Sequence, residues 1–115
     1  METILQRLTD LDEISGALLI GKDGLIVSGA LQNEDEEMLG AMSAAVFGSI
    51  AHFTTQVNNG EILHVILETQ NGIIQFAEAG DLILVVTTQA GGNIGRVRLE
   101  MKKASRQITQ LVATY

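Results

Sequence analysis

Apolar positions along this chain gather into runs separated by short polar or glycine-rich pauses, and the spacing within each run predicts an element. Over residues 2–13, Ile4, Leu5, Leu8 and Leu11 recur at helical steps, with Glu2, Arg7, Asp10 and Asp12 on the other side. That predicts a short amphipathic helix, broken at Ser15-Gly16. GALLI and LIVSGA then flank Gly21-Lys22-Asp23-Gly24, a hairpin pattern about an Asp-Gly turn. A long helix follows from Asn33 to Val57, closed by Asn58-Asn59-Gly60. Three strands come next: EILHVILE (61–68), GIIQFAEA (72–79) and LILVVTT (82–88), joined by turns at Asn71-Gly72 and Gly80-Asp81. The unbroken apolar run of the last suits a strand covered on both faces. After a loop at 90–93, Ile94, Val97, Leu99, Met101, Ala104, Ile108, Leu111 and Val112 predict a final helix. The order is αββαβββα. Tight hairpins require antiparallel neighbours, so the expected α/β fold is a three-layer α-β-α sandwich. Its five-stranded antiparallel sheet carries the central helix on one face and the terminal helices on the other.

The central helix is the segment on which the rest turns. Asn33 and the acidic run from Glu34 to Glu37 suit the free amides and positive end of a helix N-terminus. No charged residue then appears until Glu61. Leu39, Met42, Val46, Ile50, Phe53 and Val57 form a broad apolar stripe. A second row, Gly40, Ala44, Gly48 and Ala51, is made of small side chains that let another backbone come close. An interior Gly costs a helix about 1 kcal/mol relative to Ala, so the row needs a reason. The uncharged length nearly suits a membrane span, but Ser43, Ser49, His52, Thr54, Thr55 and Gln56 are too polar for direct insertion. A wholly buried central helix is a second reading. A chain this short has little material to cover both sides of such a helix, which favours a third: one side on its own sheet, the other on a partner subunit.

The expected partner is a second copy. The small-residue row would meet its counterpart across a twofold axis. EILHVILE, with Ile62, His64 and Ile66, would lie at the sheet edge and pair with itself, since a long apolar edge left open aggregates. If His52 sits at the edge of that helix pair, protonating both copies should weaken the dimer between about pH 7 and 5, around the ordinary histidine pKa of roughly 6.5.

Composition narrows the function classes. A chain of 115 residues that is 46% hydrophobic and free of proline is expected to be one domain (1–115) with a substantial core. It has no cysteine, hence no disulfide framework or thiolate metal site. The N-terminus lacks a signal-peptide pattern, and a cytoplasmic location is expected. A net charge of −7 speaks against nucleic acid and anionic membrane as partners. The basic residues are unevenly placed, with Arg96, Arg98, Lys102, Lys103 and Arg106 in the last quarter. Arg98, Lys102 and Arg106 share one helix face and, with Arg96, form a candidate surface for an acidic partner.

Catalytic candidates are few. His52 and His64 have no sequence neighbour to orient them as acid or base. No metal-ligand spacing occurs, and the acidic run at 34–37 reads as a solvated helix start. Gly91-Gly92-Asn93-Ile94-Gly95 precedes a helix but lacks the Gly-Lys-Ser/Thr ending of a phosphate loop. The expectation is no catalytic residue, metal or cofactor.

GALLIGKDGLIVSG (16–29), LILVVTTQAGGNIGRVRLEMKKA (82–104), the small-residue central helix and the element order together resemble the roadblock family. That family includes the dynein light chain roadblock domain and prokaryotic partners of small Ras-like GTPases. The resemblance covers essentially the whole chain. It implies a noncatalytic homodimer, paired through the central helix and third strand into one continuous sheet, that regulates or binds a small Ras-like GTPase. The chain lacks the extra C-terminal segment of some bacterial GTPase activators in the family, so binding is expected rather than activation. Arg96 stands where an arginine finger could serve, but the resemblance gives no support for one. The alternatives are a structural adaptor of the dynein-light-chain type without a GTPase and, more weakly, a small-molecule sensor domain.

Overall fold

A computed structural model describes residues 1–31 and 35–113. Its elements are α1 (Glu2–Thr9), β1 (Ile14–Gly21), β2 (Ile26–Leu31), α2 (Glu36–Gln56), β3 (His64–Thr69), β4 (Gly72–Ala79), β5 (Leu82–Gln89) and α3 (Ile94–Ala113). The strands form one antiparallel sheet in the order β2-β1-β5-β4-β3. The expected order and layers are those observed. The first helix, expected over 2–13, ends at Thr9, and Ser15 and Gly16, expected to break it, already lie inside β1. The strand expected from residue 61 begins at His64 instead.

Short turns set the register. Thr69 pairs with Gly72 and Ala79 with Leu82, leaving two-residue turns at 70–71 and 80–81. Gly80 takes the left-handed conformation (φ +65°) that such a turn needs. Because strand side chains alternate, the pairing sorts them into two cores. Ala17, Leu19, Ala77, Leu84 and Val86 face α1 and α3, where Leu5, Leu8, Val97, Met101, Ala104 and Ile108 meet them. Leu18, Ile20, Phe76, Ile83 and Val85 face α2, which contributes only Phe47 as a fully buried large side chain.

The roll of α2 departs from the expected faces, although Leu39 and Ile50 of the apolar stripe do pack against the core as expected. Asp35 caps the helix by accepting from the Met38 amide at 3.2 Å, and Glu36 accepts from the Leu31 amide at 3.4 Å. Asn33 and Glu34 lie outside the described residues. Gly40 presses on the β1–β2 turn: a Cβ there would stand 2.9 Å from the Gly24 carbonyl oxygen and 3.3 Å from Ile26 Cγ1. Ala44, Phe47 and Ala51 continue that inward row onto the sheet. Met42, Val46, Phe53 and Val57, expected inside, point outward at 56%, 40%, 64% and 46% exposure. The physical reason is depth. Small residues bring the helix close enough for one phenyl ring to reach the sheet, and the larger side chains are left outside.

Two glycines therefore have opposite roles. At Gly40 the about 1 kcal/mol helix-propensity gain from alanine is opposed by contact with fixed backbone, which costs about 1–3 kcal/mol as overpacking. Gly40→Ala should lower the urea midpoint of unfolding. A Cβ at Gly48 would meet nothing within 4 Å, so in a single subunit Gly48→Ala should raise the midpoint by an amount equivalent to about 1 kcal/mol or less.

Candidate functional site: an uncovered helix beside an open strand

Two uncovered features adjoin each other. α2 is 21 residues long and apolar enough by length and composition to cross a membrane, yet only 11% of its most apolar window is buried. Its backbone lies nearest β1 and β2, and its Phe47 ring reaches Phe76 of β4. Towards β3 the same sheet face is only partly covered, with Ile74 and Val65 half-buried and Leu67 exposed. An open apolar groove of about 180 Å³ results, lined by Leu39, Met42, Val46, Leu67, Ile74 and Phe76 among others. β3 forms one edge of the sheet, with Ile66 and Leu67 part-exposed at 39% and 38%. An apolar patch of this extent beside unpaired strand amides is what a protein surface normally avoids.

The residues singled out from sequence do not all belong to this patch. Gly40, Ala44 and Ala51 are turned to their own sheet, and Ile62 is buried in the α2-side core at 9% exposure. They are occupied within the subunit, so the row cannot serve as one outer face. Gly48 and His52 lie on the exposed side of α2. Sequence reasoning missed Phe47, whose spacing from Ala44 and Ala51 places it on the same inward row. It also missed Met42, Val46, Phe53 and Leu67 as surface, because their size argues for burial.

His64 and Ile66 share an edge strand but point to the opposite sheet face, under the flank of α3. There Gln75, fully buried, joins the strand to the helix. Its amide nitrogen donates to the Ile94 carbonyl at 3.4 Å and its Oε1 accepts from His64 Nε2 at 2.6 Å. An amide oxygen can only accept, so the Nε2 of a neutral His64 carries the proton. Burial holds the His64 pKa below the ordinary value, and the positive charges of Arg98 and Lys102 push the same way against the Gln75 hydrogen bond.

The glycine loop before α3 is filled by the chain itself. Glu13 Oε2 accepts from the Asn93 amide at 3.2 Å, and its Oε1 pairs with Arg96 at 2.9 Å. Asn93 Oδ1 accepts from the Arg96 amide at 3.0 Å, capping the helix. A carboxylate thus occupies the place a phosphate would need, and Arg96 is committed to it. Arg98, Lys102 and Arg106 remain exposed. Among the described residues no cluster of three or more His, Asp or Glu could hold a metal ion.

Three helices on a five-stranded antiparallel sheet, in the element order αββαβββα, define a class of small three-layer α/β domains. More particularly, the chain belongs to the Roadblock/LC7 domain family, whose model matches residues 1–88. The uncharacterised protein MJ1340 of Methanocaldococcus jannaschii is 33% identical over 109 residues, covering 94% of this chain and 96% of its own. Among solved structures, Myxococcus xanthus MglB superposes with a TM-score of 0.94 at 24% identity, over 99% of this chain and 95% of that one. A Roadblock/LC7 domain from Streptomyces avermitilis gives 0.91 at 15% identity, over 98% of both chains. Likenesses at these identities establish the fold. The family supports a regulatory or adaptor role.

The His64 environment has a pH consequence. The unfolded chain takes up a proton on this residue near pH 6.5, whereas the folded chain, with its lowered pKa, does not. Stability contributed by neutral His64 is present above about pH 6.5 and is lost as pH falls towards the lower folded value. Urea midpoints at pH 7.5 and 5.5 should differ in that direction, and His64→Asn should shrink the difference.

Proposed function

We propose that this chain is a homodimeric, noncatalytic platform that binds a small Ras-like GTPase in the cytoplasm, without a cofactor. The observation that carries the reading is the outward apolar side of α2 beside the open edge of β3. Both can be covered at once by a second copy. Identical edge strands that pair antiparallel in one sheet have their twofold axis perpendicular to it. That axis keeps α2 and its copy on the same face, where each covers the open groove of the other. Met42, Val46, Gly48 and Phe53 then meet across the axis, and Ile66 and Leu67 lie along the paired edges. His64 belongs to the same seam on the opposite face. Gly40, Ala44 and Ala51 support the contact from within by setting the roll of the helix.

The GTPase part of the proposal rests on family membership and on the resemblance to prokaryotic GTPase partners. A platform of two symmetry-related helices also offers a partner a wide surface that neither copy has alone. No nucleic acid partner is proposed, given the −7 charge. Direct membrane insertion is disfavoured by the polar residues of α2 and by its anchoring through Phe47.

Two measurements test the proposal. In sedimentation velocity, wild type should be a dimer, and both Val46→Glu and Gly48→Leu should dissociate it by about tenfold or more. A single subunit has free space at Gly48, so an unchanged dimer in Gly48→Leu would remove that side of α2 from the interface. Small Ras-like GTPases of the source organism, loaded with a GTP analogue or GDP, should bind the wild type preferentially in the GTP form and lose the dissociated variants. Binding indifferent to nucleotide, or none, would instead favour the structural-adaptor role.

A further inference from the structure

α3 carries five of the seven basic residues of the chain but only one of its 14 carboxylates, Glu100. The cations divide into two sets. Arg96 is paired with Glu13 at 2.9 Å and Lys103 with Glu100 at 3.3 Å. Arg98, Lys102 and Arg106, four residues apart, have no carboxylate within 4 Å among the described residues. In a molecule with twice as many acidic as basic groups, three successive unpaired cations on one ridge are unusual. Glu78 lines a hollow with Arg106, and its carboxylate is partnered by Lys22 at 3.7 Å.

All three cations are exposed, and the first two lie on the side of α3 towards His64 of β3. Arg98 and Lys102 are close enough to His64 to depress its pKa, which places their field over the strand. Ile66, on the same sheet face, is 39% exposed, and Leu99, within the basic helix, is 54% exposed. Positive charge thus lines a strip with apolar side chains along it, on the face opposite the α2 groove.

We propose that the Arg98-Lys102-Arg106 ridge of α3 is a second docking surface, for an acidic protein segment carrying carboxylates at one-turn spacing. Charge complementarity selects this occupant. An anionic membrane would bring a broad negative surface against a body whose other layers carry almost all of the 14 carboxylates. Nucleic acid would meet the same repulsion, with no aromatic platform in α3 for its bases. A narrow acidic segment touches the ridge alone. The surface is complete within one subunit, so its test does not depend on self-association.

The probe is a fluorescein-labelled dodecaglutamate peptide, read by anisotropy at 50 and 300 mM salt. Wild type should bind it at the lower salt and weaken by about tenfold or more at the higher. Arg98→Ala/Lys102→Ala/Arg106→Ala should lose at least tenfold. Arg7→Ala/Arg96→Ala/Lys103→Ala, of equal net charge, should change by less than about twofold. Thermal melts confirm folding, and the single exposed substitution Lys102→Ala, expected to weaken binding measurably, keeps the test decisive if the triple variant unfolds. No wild-type binding at 50 mM salt, or equal losses in both triple variants, would overturn the proposal. So would ridge-dependent co-sedimentation with phosphatidylserine vesicles in place of peptide binding.

Discussion

The contact between Gly24 and Gly40 sets the geometry of one whole side of this protein. At the tip of the first hairpin, Gly24 adopts a left-handed backbone (φ +89°), and a Cβ there would come within 3.1 Å of the Ala41 Cα. Its carbonyl in turn faces the bare backbone of Gly40. Neither side can carry a side chain without moving the other. Once the two backbones touch, the roll of α2 is fixed: Phe47 goes down to the sheet, and Met42, Val46 and Phe53 go up to the surface. The exposed apolar surface is therefore a consequence of local close packing, held in place at its own expense of helix propensity.

Much of the fold was legible because its punctuation is strong. Gly-rich and Asn-Gly turns, a 20-residue basic amphipathic helix and a continuous apolar strand left few alternatives for order and pairing. The candidate site was less legible for a definite reason. The usual inference places large apolar residues inward, and it holds for a subunit that is complete alone. In α2 three small residues face inward with Phe47 while Met42, Val46 and Phe53 face outward, an arrangement that the sequence signals only through the coincidence of Gly40, Ala44, Phe47 and Ala51 on one face. Ile62 was misplaced because EILHVILE reads as strand throughout, whereas Ile62 alone, between exposed Glu61 and Leu63, is buried in the α2-side core before the strand begins. The Glu13 contact with Asn93 and Arg96 spans about 80 positions, beyond the reach of local patterns.

The two helical layers have unlike chemistry. α2 offers an apolar surface with charge confined to its first turn, whereas α3 keeps Val97, Met101, Ala104 and Ile108 on the sheet and its cations outside. One sheet separates them, so a body that covers one layer leaves the other free. Gln75 is the polar group that crosses between strand edge and helix start, linking β3 to α3 through His64 and the Ile94 carbonyl.

The edge position of β3 also divides the molecule by rigidity. β1 and β5 are hydrogen-bonded on both sides and packed on both faces, while β3 is bonded only to β4 and has four exposed residues out of six. Local opening free energies follow such differences in burial and pairing. In a lone subunit β3 is thus the strand whose amides exchange with solvent soonest, through fluctuations that leave β1 and β5 intact. A second edge laid against it slows that exchange selectively, so hydrogen-exchange protection at residues 64–69 reports association from within the backbone itself.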